Sequence, residues 1–117
     1  MKRLLVGSLA AAALAGAAAQ PATGRYEARL CVQLGDATPS CGPADAEVGR
    51  NRRLDVRISD IVYQLTPRGS GLDVVLMHGQ MQIDGFVASY AWEGSTLAFF
   101  DADKRTRYAL SLRPAGR

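Results

Sequence analysis

One histidine, His78, and two cysteines, Cys31 and Cys41, are all that 117 residues offer of the usual soft metal ligands. A closed zinc site needs more donors than that, so neither a metal nor a cofactor is expected. The cysteines stand ten apart, without the close spacing of thioredoxin-like redox pairs. Chemistry on a nucleophile would rest on His78 as the only conventional base. Its neighbour Gly79 marks a turn, where a histidine is solvated, so no catalytic residue is assigned. Paired carboxylates fare no better. Asp60, Asp73, Asp84, Asp101 and Asp103 fall mostly at turns, where aspartate bonds its own backbone. Asp101-Ala102-Asp103 opens like a calcium loop, but Lys104 and Arg105 follow where more oxygen ligands are required. Also missing are an amphipathic helix after residue 19 and any second long apolar run.

The first such run is Leu4 to Ala19, preceded by Met1-Lys2-Arg3 and ending Ala17-Ala18-Ala19. Basic start, short apolar stretch and small closing residues predict a secretory signal over 1–19, cleaved near Ala19-Gln20. The run is too short for a membrane-spanning helix. No cysteine lies near the cleavage point, so a soluble periplasmic or secreted domain over 20–117 is expected, without a membrane anchor. Without Lys2 and Arg3, twelve basic side chains face eleven acidic ones. Such a near-neutral chain lacks the basic face that nucleic acid requires. Arg50, Arg52, Arg53 and Arg57 cluster, but Asp55 lies among them, which reads as a solvated loop. Export also predicts a Cys31–Cys41 disulfide on the outward face of the first strand.

Strand periodicity fills the rest. Tyr26, Ala28, Leu30, Val32 and Leu34 alternate with Glu27, Arg29, Cys31 and Gln33. Gly35 to Asp45, with Pro39, Gly42 and Pro43, reads as irregular loop. Leu54, Val56 and Ile58 alternate next, and the phase slips at Ser59-Asp60 before Ile61, Tyr63 and Leu65. Leu72, Val74 and Leu76 follow the Pro67–Gly71 turn. After His78-Gly79 come Met81 and Ile83. Phe86, Ala88, Tyr90 and Trp92 are one position out of step with these, which predicts a bulge or tight turn at Asp84-Gly85 and an inward Trp92. Leu97 and Phe99, then Tyr108, Leu110 and Leu112, complete the pattern. Seven or eight short strands joined by tight turns predict an all-β protein, a small antiparallel meander barrel with one disulfide and a filled interior.

Phe99 and Phe100 are consecutive and must face opposite ways, so one of them is open to exposure, and Phe100, beside Arg105 and Arg107, is the candidate. Met77 and Met81 flank the His78 turn and suit an adaptable contact. These six residues (Met77, His78, Met81, Phe100, Arg105 and Arg107) are the candidate partner-binding set. Tyr90-Ala91-Trp92, Leu97 to Asp103 (LAFFDAD) and Tyr108 resemble the closing strands of the small exported β-barrel inhibitors of serralysin-type metalloproteases. The similar-sized inhibitors of C-type lysozymes share the exported barrel. The chain departs from these patterns in having Lys104 where glycine usually follows the acidic turn, no tryptophan before the first strand, and cysteines unusually close together. The protease inhibitors act through an N-terminal segment, for which Gln20 to Gly24 is a very short counterpart. The lysozyme inhibitors use a loop with serine and an aromatic, a pattern that Gly69-Ser70-Gly71 lacks. The resemblance therefore implies a fold and a function class and transfers no site residue. The expected function is a non-enzymatic binding protein whose partner is a protein of the cell envelope, as in inhibition of a hydrolase. The alternative is a small-ligand or lipid-binding barrel.

Overall fold

Alternating side chains cut at short intervals by turns leave one economical course, in which each strand folds back on the one before. The structure, a computed structural model, describes residues 21–115. The expected signal segment, 1–19, lies outside the described residues. Eight strands follow in order: β1 (Gly24–Leu34), β2 (Ser40–Val48), β3 (Leu54–Ile58), β4 (Ile61–Arg68), β5 (Gly71–His78), β6 (Met81–Glu93), β7 (Thr96–Asp101) and β8 (Thr106–Pro114). All neighbours are antiparallel, and β8 returns to β1 from Tyr26↔Pro114 to Leu34↔Thr106, closing the barrel. The arginine cluster forms a short 3-10 turn at Arg50–Arg52, the one helical element among the described residues.

Each strand turns one face to the axis. Leu30, Ala46, Val48, Leu54, Val56, Leu65, Leu72, Val74, Ala88, Leu97, Phe99, Leu110 and Leu112 form the buried core. Removing these apolar surfaces from water is the main favourable contribution to the fold. Phe86 and Trp92 point inward with Ala88, as the phase of β6 predicts, and pack against this core. Trp92 lies one pair from the Gly94 turn and is only half-buried.

Three expectations are corrected. Residues 40–45 are strand, not irregular loop: β2 starts at Ser40 and pairs with β1 along its whole length. Pro43 is tolerated because β3 joins β2 only from Asp45 onward, leaving the β3 side of this stretch without a ladder. The phase slip in β6 comes before Asp84. Met77 pairs with Gln82 and Leu76 with Asp84, so Ile83 is the extra residue. Asp84 thus shares the inward phase of Phe86, and its Oδ1 accepts the Gly85 N–H at 2.8 Å. Leu34 keeps the phase of Leu30 but is 63% exposed, since β1 runs out to the barrel rim. The slip at Ser59-Asp60 is a two-residue hairpin turn, with Ser59 at φ 56°.

Cys31 and Cys41 are directly opposed across β1 and β2, their Cα atoms 4.0 Å apart, and are disulfide-bonded. The bridge therefore clips strand to strand on the outer wall, beside the stretch of β2 that β3 leaves unpaired. In the chain-entropy account, closing so short a loop stabilises by about 3 kcal/mol. Cys31→Ser should lower the melting temperature while leaving the far-UV circular dichroism at low temperature unchanged. Loss of strand signal at low temperature would mean that the barrel needs the bridge to form. In the core, Leu110→Ala should cost about 3 kcal/mol in urea unfolding, and a cost below about 1 kcal/mol would contradict its fully buried position.

Candidate functional site

Two features stand out from the bland remainder: the polar mouth at one barrel end, and the outer wall of β5 to β8. The mouth lies where β3 meets β4, β5 meets β6, and β7 meets β8. Tyr108 is its centre. Its ring stacks on Phe99 with centroids 4.6 Å apart and on Phe86 at 5.9 Å, and Tyr63 meets it edge-on at 6.3 Å. Asp101, in phase with Phe99, is buried beside this group. Its Oδ1 accepts the N–H groups of Asp103 (3.1 Å) and Lys104 (3.4 Å), which builds the turn. Its Oδ2 is buried without a hydrogen-bond partner among the described residues. Lys104 arches from that turn across to β6, where its ammonium bonds Asp84 and stands 5.6 Å from the centre of the Phe86 ring.

The electrostatics follow from this packing. Burial pushes the Tyr108 hydroxyl up to about 12, with Tyr63, Asp101 and Asp84 adding to the rise. Burial first, then the Asp84 charge, raises Tyr63 as well. The Lys104 bond and the Gly85 N–H hold the Asp84 carboxyl below its usual range. The same bond raises Lys104, an exposed side chain, so the pair is a surface latch of small energetic weight. Among the described residues, no group of three or more histidine, cysteine or acidic side chains is placed to hold a metal ion.

The outer wall divides sharply. On β8, β1, β2 and β3 it carries Arg113, Arg25, Glu27, Arg29, Asp45, Glu47, Asp55 and Arg57, some of them ion-paired, as Arg113 is with Glu27. On β5 to β8 the same outward positions hold mostly small or apolar residues, among them Val75, Met77, Val87, Ala91, Ala98 and Ala109. A shallow depression of about 400 Å³ lies there, bordered by Ser89, Ala91, Ala98, Phe100 and Arg107. Of the four large hydrophobics that stand out as exposed among the described residues, three belong to one stretch of β6: Met81 at 65%, Ile83 at 49% and Val87 at 69%. The charged half of the wall is incompatible with an apolar belt right round the barrel, which a membrane-spanning barrel requires.

The six candidate residues map onto this wall and its rim. Phe100 and Arg107 are a cross-strand pair, the guanidinium 5.6 Å from the ring centre, beside the depression. Met77 is outward on β5. His78 and Met81 are paired at the base of the Gly79 turn, both exposed. Arg105 sits at the tip of the β7–β8 turn with φ 51°, its carbonyl accepting the Gly35 N–H. They form two groups, at the β5–β6 and β7–β8 tips. Sequence reasoning misses the mouth, because Asp84 reads as a turn residue and Tyr63 and Tyr108 read only as core. It also passes over Ile83 and Val87. The uncharged run from Phe86 to Trp92 is the signal available for Val87.

A pH titration followed by tyrosinate absorbance should show Tyr108 ionising near 12. An unfolded tyrosine loses its proton near 10, so the folded state binds more protons between these values. Stability from this group is therefore complete below about pH 10 and is lost as pH rises toward 12. Asp84→Asn should move both the Tyr63 and Tyr108 titrations downward. Unchanged titrations would place Asp84 away from the mouth. Comparison with known protein families, with curated proteins and with solved structures finds no match to this chain.

Proposed function

We propose that this chain is a non-enzymatic binding protein of the cell envelope, engaging a protein partner through the outer wall of β5 to β8. The observation that carries the reading is the pair of exposed β-branched residues Ile83 and Val87 on β6, Val87 standing two residues from Ser89 at the border of the Phe100–Arg107 depression. Exposed apolar surface bordered by an aromatic–arginine pair is the composition of a protein interface. Inhibition of an envelope hydrolase is the form of binding that the sequence resemblance suggests. The rival role, carrying a lipid or small ligand, calls for an internal chamber. Leu54, Leu65, Leu72, Leu97 and Leu110 packed along the axis, with the Tyr108 stack above them, favour the binder.

The test is differential capture from a periplasmic extract, with the captured enzyme's hydrolytic rate measured against added protein. Wild type and His78→Gln should retain the same partner and slow its hydrolysis. Ala98→Arg, which fills the depression, should weaken retention about tenfold or more. Equal retention by Ala98→Arg would remove the wall as the binding surface, and retention without slowing would remove inhibition.

A further inference from the structure

β6 is 13 residues long, and its neighbours cover it unevenly. β5 pairs with it from Met81 to Ser89, but β7 only from Ser89 to Glu93. Among the described residues, one side of the β6 backbone from Met81 to Ala88 therefore has no ladder partner and is crossed by the Lys104 side chain on its way to Asp84. Staggered strands in a closed barrel produce such stretches. Others are Ser40–Ala44 of β2 and Thr66–Arg68 of β4, both on the β3 side, Leu112–Pro114 of β8 on the β7 side, and Tyr90–Glu93 of β6 itself on the β5 side. The first three contain Pro43, Pro67 and Pro114, and proline blunts an edge against further pairing, while Tyr90–Glu93 is half as long as Met81–Ala88 and ends on a charge. The Met81–Ala88 stretch contains no proline, and it carries the exposed Met81, Ile83 and Val87.

We propose that this edge pairs with the same edge of a second copy of the chain, antiparallel across a two-fold axis at Gly85. The sequence is self-complementary about that point. Ile83 falls opposite the partner's Val87, and Val87 opposite the partner's Ile83, so β-branched residues meet in both places. Asp84 falls opposite the partner's Phe86, and no charge meets its like. An axis at Asp84 would oppose two carboxylates. An axis at Phe86 would set Ile83 against serine and Val87 against glycine. Gly85 at the axis brings no side chain between the two backbones. In the single barrel its N–H is held by Asp84 Oδ1, which satisfies the donor that a second copy would take over. A two-fold contact of this kind closes on itself and stops at a dimer. It joins the two outer walls side by side. The pairing goes beyond the binding role above and stands whether or not the wall takes a foreign partner.

Sedimentation velocity of the purified protein, from low micromolar to near-millimolar concentration, tests it. Wild type should pass from monomer to dimer. Val87→Lys and Ile83→Glu should each weaken the dimer about tenfold or more, with native circular dichroism retained. Mixing those two variants should restore a dimer, because the ammonium introduced in one copy then faces the carboxylate introduced in the other. Thr66→Lys, outward on β4, should dimerise as wild type does. A wild type that stays monomeric throughout overturns the proposal, and is the result expected if a foreign extended segment is the edge's occupant. Single variants as tight as wild type, or a mixture that stays monomeric, overturn it equally.

Discussion

Closure of β8 onto β1 is the constraint on which the rest depends. Once the sheet has no outer strands, each strand must give one complete face to the axis, and any residue that breaks the alternation must be absorbed by a turn or a bulge. The slip after Ile58 becomes a turn, and the slip at Ile83 becomes a bulge. Closure also explains why so short a domain can hold together. The leucines along the axis exclude water from one another without a second layer of structure, and the disulfide adds a strand-to-strand clip outside.

The same closure produces the places where function could reside. Strands that tilt and stagger leave backbone without a neighbour at the ends of the ladder. Proline occupies three of these stretches, while the Met81–Ala88 side of β6 is bordered by apolar residues and crossed by the Lys104–Asp84 latch. The mouth beneath that latch gathers Tyr63, Tyr108, Asp84 and Asp101 into a polar cap on an apolar column. Burial there raises both phenols. The mouth and the half-paired edge meet at Asp84, whose side chain serves both.

Much of this is legible in the residues. The barrel, the inward phase of Phe86 to Trp92, the bridge and the outward Phe100 follow from period-two alternation and from the pairing of two cysteines. β2 is not legible, because Gly42 and Pro43 read as loop when the strand is taken alone. Only the neighbouring β1 ladder makes it a strand. Asp84 is misplaced for a related reason. An aspartate before glycine signals a turn locally, while the pairing of Leu76 with Asp84 is a long-range fact. The uneven cover of β6 depends on stagger, which no local pattern encodes, and so alternation alone does not mark the exposed stretch.

Residue-resolved amide hydrogen exchange on the native protein tests the central claim, a closed barrel with one side of β6 left open. The account predicts the slowest exchange for the β1–β8 seam, around the Leu30–Leu110 pair, comparable with the β4–β5 ladder. It predicts fast exchange at low protein concentration for those amides of Gln82–Ala88 that do not reach β5. Seam amides exchanging as fast as β6's free side would mean that the barrel is open between β1 and β8. The half-paired edge would then have no special standing.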